Sequence, residues 1–231
     1  MGEKIAVLQK GIFVFPEFLP HAVASFSSRD FDASKDIPSF LQAIGIRPDR
    51  FSTLQQIHGD EVHHASLKNN VPIHKADGLM TGDLDLALVI HTADCLPVFF
   101  FDPLAPAVGI CHAGWKGTQK GIIFRMIECF KRLFDSKPGS MPIALGPCIC
   151  KNCYEVGPEF KDYFPNFVHA KDKKYFFDLS GIVKKQLTDN GVRPDLIFDS
   201  ALCTACSLDQ FFSVRKEGVH TGRLISTVVL K

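Results

Sequence analysis

Residues 91–117, HTADCLPVFFFDPLAPAVGICHAGWKG, decide how this chain folds. The apolar runs 86–90, 96–101 and 105–111 are short, rich in Val, Ile, Leu and Phe, and bounded by Asp, Pro and Gly, which reads as buried strands. Cys95 sits in Thr92-Ala93-Asp94-Cys95, between the first two runs. His112 closes the third and is followed by Ala113-Gly114-Trp115-Lys116-Gly117. Two strands therefore each deliver a metal-capable side chain to a turn, where functional groups gather on a rigid scaffold. The plainer reading of the same residues is a buried strand pair with a core thiol and a hydrogen-bonded histidine.

Downstream, residues 118–134 predict a helix. Ile122, Ile123, Met126, Ile127, Phe130 and Phe134 form its apolar stripe, and Lys120, Arg125, Glu128, Lys131 and Arg132 lie largely away from it. Residues 137–140 break the chain. Residues 142–145 read as a strand, 156–164 and 179–190 as helices, and 196–199, 211–215 and 224–230 as closing strands. Asp178 or Ser180 can cap the second of these helices, and Gly191 suits its end. Upstream, 5–8, 11–16 and 22–27 are short strand-like runs. Residues 39–46 predict a helix capped by Ser39. Residues 51–57 and 61–65 read as strands around His58-Gly59-Asp60, and 76–82 as a turn-rich connection. Strands outnumber helices and do not alternate with them. The expected fold is α/β, a single domain over 1–231, with mixed sheets and helices outside.

The bulk numbers limit function. A chain of 231 residues supports one sizeable core, and 46% hydrophobic with 22% charged residues is ordinary for a soluble domain. A net charge of +1 argues against a nucleic-acid partner. No apolar run approaches the roughly 20 residues that span a bilayer, so no membrane role is expected. Met1-Gly2-Glu3-Lys4-Ile5 lacks the apolar core of a signal peptide, and Ala6 stands where a myristoylation signal needs Ser or Thr. Eight cysteines then read as reduced thiols or metal ligands, and the expected compartment is cytoplasmic.

The residues suited to chemistry are His58, Cys95 and His112, each at the end of an expected strand. Zinc accepts thiolate and imidazole, and three protein ligands leave a fourth position open, the catalytic pattern. The same three side chains also suit a metal-free site in which Cys95 attacks and a histidine takes its proton. Spacing alone leaves both readings open. Asp94 can orient a histidine, move a proton or cap its own turn. Trp115 and Tyr154 can stack on a base or pack in the core. His63 and His64 are adjacent, so one strand points them to opposite faces. His91, heading the Cys95 strand pair, is expected at a core edge, with an approach to the pocket as the alternative, and Lys171-Asp172-Lys173-Lys174 in a solvated loop. Cys150-x-x-Cys153 and Cys203-x-x-Cys206 have the internal spacing of a four-cysteine zinc site.

Several stretches occur together in order: Gln55-Gln56-Ile57-His58-Gly59, Thr92-Ala93-Asp94-Cys95-Leu96-Pro97-Val98, His112-Ala113-Gly114-Trp115-Lys116-Gly117, Gly146-Pro147, Tyr154-Glu155-Val156-Gly157, Cys203-Thr204, Phe211-Phe212-Ser213-Val214-Arg215-Lys216 and Thr221-Gly222-Arg223. Together they resemble the laccase-domain family, whose members have been called multicopper polyphenol oxidases, peptidoglycan editing factors and purine nucleoside phosphorylases. The likeness covers residues 20–230. It implies a layered α/β/β/α domain, similar to Cys–His deamidase toxins. It also implies a metal, zinc or sometimes copper, held by His58, Cys95 and His112. The activity it implies is phosphorolysis of adenosine, inosine, guanosine and methylthioadenosine, with adenosine deamination. The partners would be a purine nucleoside and phosphate, the protein a monomer or weak homodimer. The family's Cys-Thr motif is not a known metal site, so Cys150, Cys153, Cys203 and Cys206 are read as ordinary buried thiols.

The chain departs from the family pattern in three places. Ser28-Arg29-Asp30-Phe31-Asp32 replaces a longer Gly-Gly-Val-Ser loop. Lys116 stands for an Arg in Trp115-Lys116-Gly117, and Val214-Arg215-Lys216 replaces Tyr-Arg-Arg. Lysine keeps the charge but not the planar fork that grips a phosphate. Arg215, Lys216 and Lys116 are the expected phosphate ligands, and Cys95, His112, His58 and Asp94 the expected catalytic set. The alternatives are copper-dependent phenol oxidation, Cys95 hydrolysis of a peptidoglycan precursor, and a binding module whose zinc only holds loops.

Overall fold

The runs on either side of Cys95 and before His112 form three of the longest strands. The computed structural model describes residues 6–9, 11–68 and 75–231; Ile5, at the head of the first expected strand, lies outside them. In chain order the strands are β1 Ala6–Gln9, β2 Ile12–Val14, β3 Ala22–Ser27, β4 Phe51–Ser52, β5 Val62–His64, β6 Gly78–Thr81, β7 Ala87–Thr92, β8 Leu96–Asp102, β9 Ala107–Ala113, β10 Ile143–Leu145, β11 Glu155–Val156, β12 Val168–Lys171, β13 Lys174–Phe177, β14 Ile197–Asp199 and β15 Leu224–Leu230. The helices are α1 Ile37–Ala43, α2 Trp115–Lys120, α3 Ile122–Phe134, α4 Phe160–Tyr163, α5 Leu179–Asp189 and α6 Val214–Glu217.

Two mixed six-stranded sheets face each other, in the orders β1-β2-β3-β15-β7-β4 and β14-β10-β8-β9-β6-β5. A small sheet, β11-β13-β12, sits beside them. Side-chain alternation along each strand divides the core. On β8, Phe99 and Phe101 enter the inter-sheet core with Phe15, Phe26, Leu88, Ile90, Leu224 and Val228. Leu96, Val98 and Phe100 point the other way, onto Met126, Ile127 and Phe130 of α3 and Val183 and Leu187 of α5. Beyond the first sheet, Phe40 and Leu41 of α1 cover Ala87, Val89, Ile225 and Val229. The layers are α/β/β/α, as the family resemblance implies. Burying each large side chain contributes about 1.5–3 kcal/mol, so the inter-sheet phenylalanines hold the two sheets face to face.

Several local expectations are corrected. Residues 76–82 contain a central strand, β6, paired with β9 and β5. The expected helix 118–134 starts earlier and is two helices, because Gly121 adopts a left-handed φ of 95° and turns the chain between α2 and α3. Only Phe51 and Ser52 of 51–57 are strand, and 156–164 divides into β11 and the single turn α4. Residues 211–215 are no strand: Phe211 is buried and Ser213 leads into α6. Ser39 is inside α1, which follows Asp36. Residues 171–174 form a tight hairpin between β12 and β13, with Asp172 and Lys173 both at positive φ. Asp178 does cap α5, accepting from the Gly181 N–H at 2.9 Å. Among the described residues no helix is long and apolar enough to cross a membrane.

Candidate metal centre and cleft

Three turns meet where β9 ends. His112 arrives on β9, Cys95 heads β8, and His58 comes from the loop before β5. One ligand atom from each lies within 4.8 Å of the other two. The two imidazoles meet edge to face, with ring centroids 4.8 Å apart.

The group that brings them together is Asp77, at the foot of β6. Its side chain is wholly buried and its Oδ1 lies 2.8 Å from His112 Nδ1. The same carboxylate accepts the backbone N–H groups of Ile57, His58 and Gly59 at 3.1, 3.0 and 2.6 Å. Its own carbonyl accepts the His112 N–H at 2.8 Å. These bonds hold His58 at a φ of 55°, a region unfavourable for a residue with a side chain. Burial acts to raise the Asp77 pKa, but His112 and the loop N–H groups outweigh it and hold the carboxyl below its ordinary value. Sequence reading missed Asp77 because its partners lie 18–35 residues away and it precedes a segment rich in Gly.

The residues present fit a metal. With Nδ1 of His112 occupied by Asp77, Nε2 is the nitrogen left for coordination, the usual carboxylate–histidine support. A Cβ at Gly114 would lie 3.0 Å from Cys95 Sγ, 3.3 Å from His58 Cδ2 and 3.7 Å from His112 Cε1. Glycine therefore keeps open the space that all three ligands border. A thiolate and two imidazoles are zinc donors, and three of them leave a fourth position free. Burial raises the Cys95 pKa, but His112 and His58 overcome it and bring the thiol down to about 6. Burial also works against the His112 cation, yet Cys95 and Asp77 lift its pKa to about 9. Without metal, the pair is thus thiolate and imidazolium over that interval.

A cleft of about 720 Å³ opens onto the triad. Its apolar lining is Leu54, Ala93, Ile149 and Val214, and its polar lining includes Gln55, Gln56, His91, Tyr154, Arg215 and Arg223. Gln56 clasps His91 through both backbone groups, at 2.8 Å each. Burial, His112 and Arg223 lower the His91 pKa and keep its ring neutral. His91 Nε2 is buried without a hydrogen-bond partner among the described residues. The Arg215 guanidinium lies 5.2 Å from the centroid of the Tyr154 ring and donates to the Glu155 carbonyl.

Asp94 takes the turn-holding role. Its Oδ1 accepts from Thr204 and Ser213 hydroxyls at 2.6 and 2.8 Å, and its Oδ2 from the Arg215 N–H at 2.7 Å. It thereby ties the Cys95 turn to α6 and holds Arg215 at the cleft. The 28–32 segment braces the same helix, since Arg29 pairs with Glu217 at 2.9 Å. Three expected substrate residues stand elsewhere. Trp115 stacks on Tyr163 at 6.2 Å and packs on Phe160 because α2 turns it towards α4. Lys116 lies over the Trp115 ring at 5.5 Å, and both Lys116 and Lys216 are exposed on their helices. None of the three lines the cleft. Arg223 and His91 do; for His91 this is the alternative to the core edge, and for Arg223 the Thr221-Gly222-Arg223 motif was the available signal.

Comparison with known proteins agrees with this architecture. A family model described as multi-copper polyphenol oxidoreductase laccase matches residues 30–231. The chain belongs to this laccase-domain family. A Deinococcus radiodurans protein named purine nucleoside phosphorylase is 33% identical over 220 residues, covering 91% of this chain and 83% of that protein. A Bacillus subtilis protein named purine nucleoside phosphorylase YlmD is 32% identical over 181 residues, covering 75% of this chain and 63% of that protein. The crystal structure of a Bacillus licheniformis hypothetical protein, YfiH, superposes with a TM-score of 0.92 over 100% of both chains at 25% identity.

Two outcomes follow for the laccase-domain centre. Asp77→Asn removes the carboxylate support, and zinc affinity by chelator competition should fall by about 10–100-fold; unchanged affinity would remove Asp77 from the centre. In metal-free protein, iodoacetamide should alkylate Cys95 increasingly as pH rises through about 6, where the thiolate forms. A midpoint near ~8.5, that of an ordinary cysteine, would mean that neither histidine acts on the thiol.

Proposed function

We propose that this chain is a zinc-dependent purine nucleoside phosphorylase acting on adenosine, inosine, guanosine and methylthioadenosine, with adenosine deamination in the same cleft. The observation that carries the proposal is one cleft wall that joins the His58–Cys95–His112 triad to two arginines and an aromatic ring. The names of two relatives, purine nucleoside phosphorylase, support its phosphorolysis. A cavity of this size suits a nucleoside. Leu54, Ala93, Ile149 and Val214 offer the purine an apolar bed, and Tyr154 an aromatic face.

In phosphorolysis a phosphate oxygen bonds to the ribose C1′ while the C1′–N9 bond breaks. Its electron pair leaves with the purine, which takes up a proton, giving free base and ribose 1-phosphate. Arg215 and Arg223 replace the lysines as phosphate ligands, because they are the arginines at the cleft and their planar forks match phosphate oxygens. Burial pushes the Tyr154 pKa up, so its hydroxyl keeps its proton at neutral pH and can donate to a purine nitrogen as negative charge develops there. The neutral His91 can accept or donate at the sugar or base. His58, Cys95 and His112 would hold a zinc ion, which would supply Lewis-acid chemistry in the cleft.

Copper oxidation of phenols is the weaker reading. Among the described residues only one potential metal group contains histidine, and multicopper oxidases need several such groups. Copper can still enter a zinc site through its higher intrinsic affinity.

Zinc-loaded protein should release purine from inosine only when phosphate is present. Arg215→Met should raise the phosphate KM at least about tenfold, roughly 1.4 kcal/mol, with little change in the inosine KM. Equal release of base without phosphate would make the protein a hydrolase and overturn the proposal.

A further inference from the structure

We infer that Cys150, Cys153, Cys203 and Cys206 hold a structural zinc ion, distinct from the centre at the cleft. On sequence alone, ordinary buried thiols are the favoured reading of these four and a zinc site the alternative. The structure instead brings all four Sγ atoms within 4.8 Å of one another. The Sγ atoms of Cys153 and Cys206 are 3.4 Å apart. A regular tetrahedron with Zn–S bonds of about 2.3 Å has edges of about 3.8 Å, so the four sulfurs already bracket that arrangement.

The backbone around them is built for convergence. Each Cys-x-x-Cys pair closes a tight turn. Cys153 and Tyr154 N–H groups donate to the Cys150 carbonyl at 2.9 and 3.0 Å, and the Ser207 N–H donates to the Cys203 carbonyl at 3.2 Å. The Cys150 N–H donates to Cys203 Sγ at 3.2 Å, a bond that supports a thiolate across the two turns. Cys148 and Cys203 form a parallel bridge that sets the turns side by side. Four soft sulfur donors with no carboxylate select zinc over magnesium or calcium. Four protein ligands also leave no open position, the pattern of a structural site. A disulfide would require only two of these cysteines to meet; here four converge.

The position gives the ion a task. The first turn leads directly into Tyr154 of the cleft wall. The second carries Thr204, whose hydroxyl holds Asp94 at 2.6 Å. Zinc would therefore fasten two cleft-forming loops, 53 residues apart at Cys150 and Cys203, without touching the nucleoside site.

Metal analysis of the full chain, purified without chelator, tests this. Wild type should carry two zinc ions per chain, and Cys95→Ala and Cys150→Ser/Cys206→Ser one each. One zinc in wild type, lost entirely in Cys95→Ala, would overturn the inference, as would iron in place of the second zinc. A second measurement needs no variant. Cys206 is exposed, so a free thiol there should react at once with N-ethylmaleimide. Peptide mapping should instead show all four cysteines protected until zinc is chelated. Immediate alkylation of Cys206, or a Cys153–Cys206 disulfide in the unreduced protein, would overturn the site and leave the proposed phosphorolysis at His58, Cys95 and His112 untouched.

Discussion

A single buried carboxylate organises the reactive end of this molecule. Asp77 accepts three consecutive backbone N–H groups and bonds one imidazole. Removing a carboxylate from water costs several kcal/mol, and hydrogen bonds to a charged group each contribute about 1.5–3 kcal/mol. Four such bonds offset that cost and, in doing so, dictate where two histidines stand. The loop around His58 cannot relax to an ordinary φ without giving up bonds to Asp77. His112 cannot rotate without losing its Nδ1 partner. Cys95 needs no equivalent grip, because it leads straight into the buried strand β8.

A second buried carboxylate repeats the device beside Cys95. Asp94, itself at a φ of 82°, gathers Thr204, Ser213 and the Arg215 N–H. One acid thus places two metal-capable histidines and the other places a cation, and both sets of residues line the same cleft. The sandwich beneath is stiff and apolar, with phenylalanines interlocked between its sheets. The four-cysteine cluster joins the loop before Tyr154 to the loop whose Thr204 bonds Asp94.

Much of this was legible in the chain. Short apolar runs around Cys95 and His112 marked the central strands, and the stripe from Ile122 to Phe134 marked the main helix. The motifs also identified the three side chains that meet. What stayed hidden depends on long-range contact. Asp77 carries no periodic signal, and its meaning appears only when the loop at 57–59 folds over it. Residues 211–215 are aromatic and β-branched enough to read as strand, yet the pull of Asp94 on Ser213 and Arg215 turns them into a helix start. For Trp115 the sequence offered base stacking or packing, and the direction of α2 decides for packing, on Phe160 and Tyr163. The paired cysteines showed correct spacing within each pair, but only the Cys148–Cys203 bridge shows that the pairs are neighbours.

Membership of the laccase-domain family fits a fold in which a stable sandwich presents one small constellation at a strand end. The account rests on that constellation being the seat of the chemistry, with Asp77 as its keystone. The most direct measurement follows inosine and phosphate by phosphorus NMR, with zinc-loaded wild type and Cys95→Ala side by side. Wild type should convert inorganic phosphate to a sugar 1-phosphate in step with free purine, and the variant should leave the phosphate signal unchanged. A folded Cys95→Ala protein that forms the sugar phosphate at the wild-type rate would contradict the account.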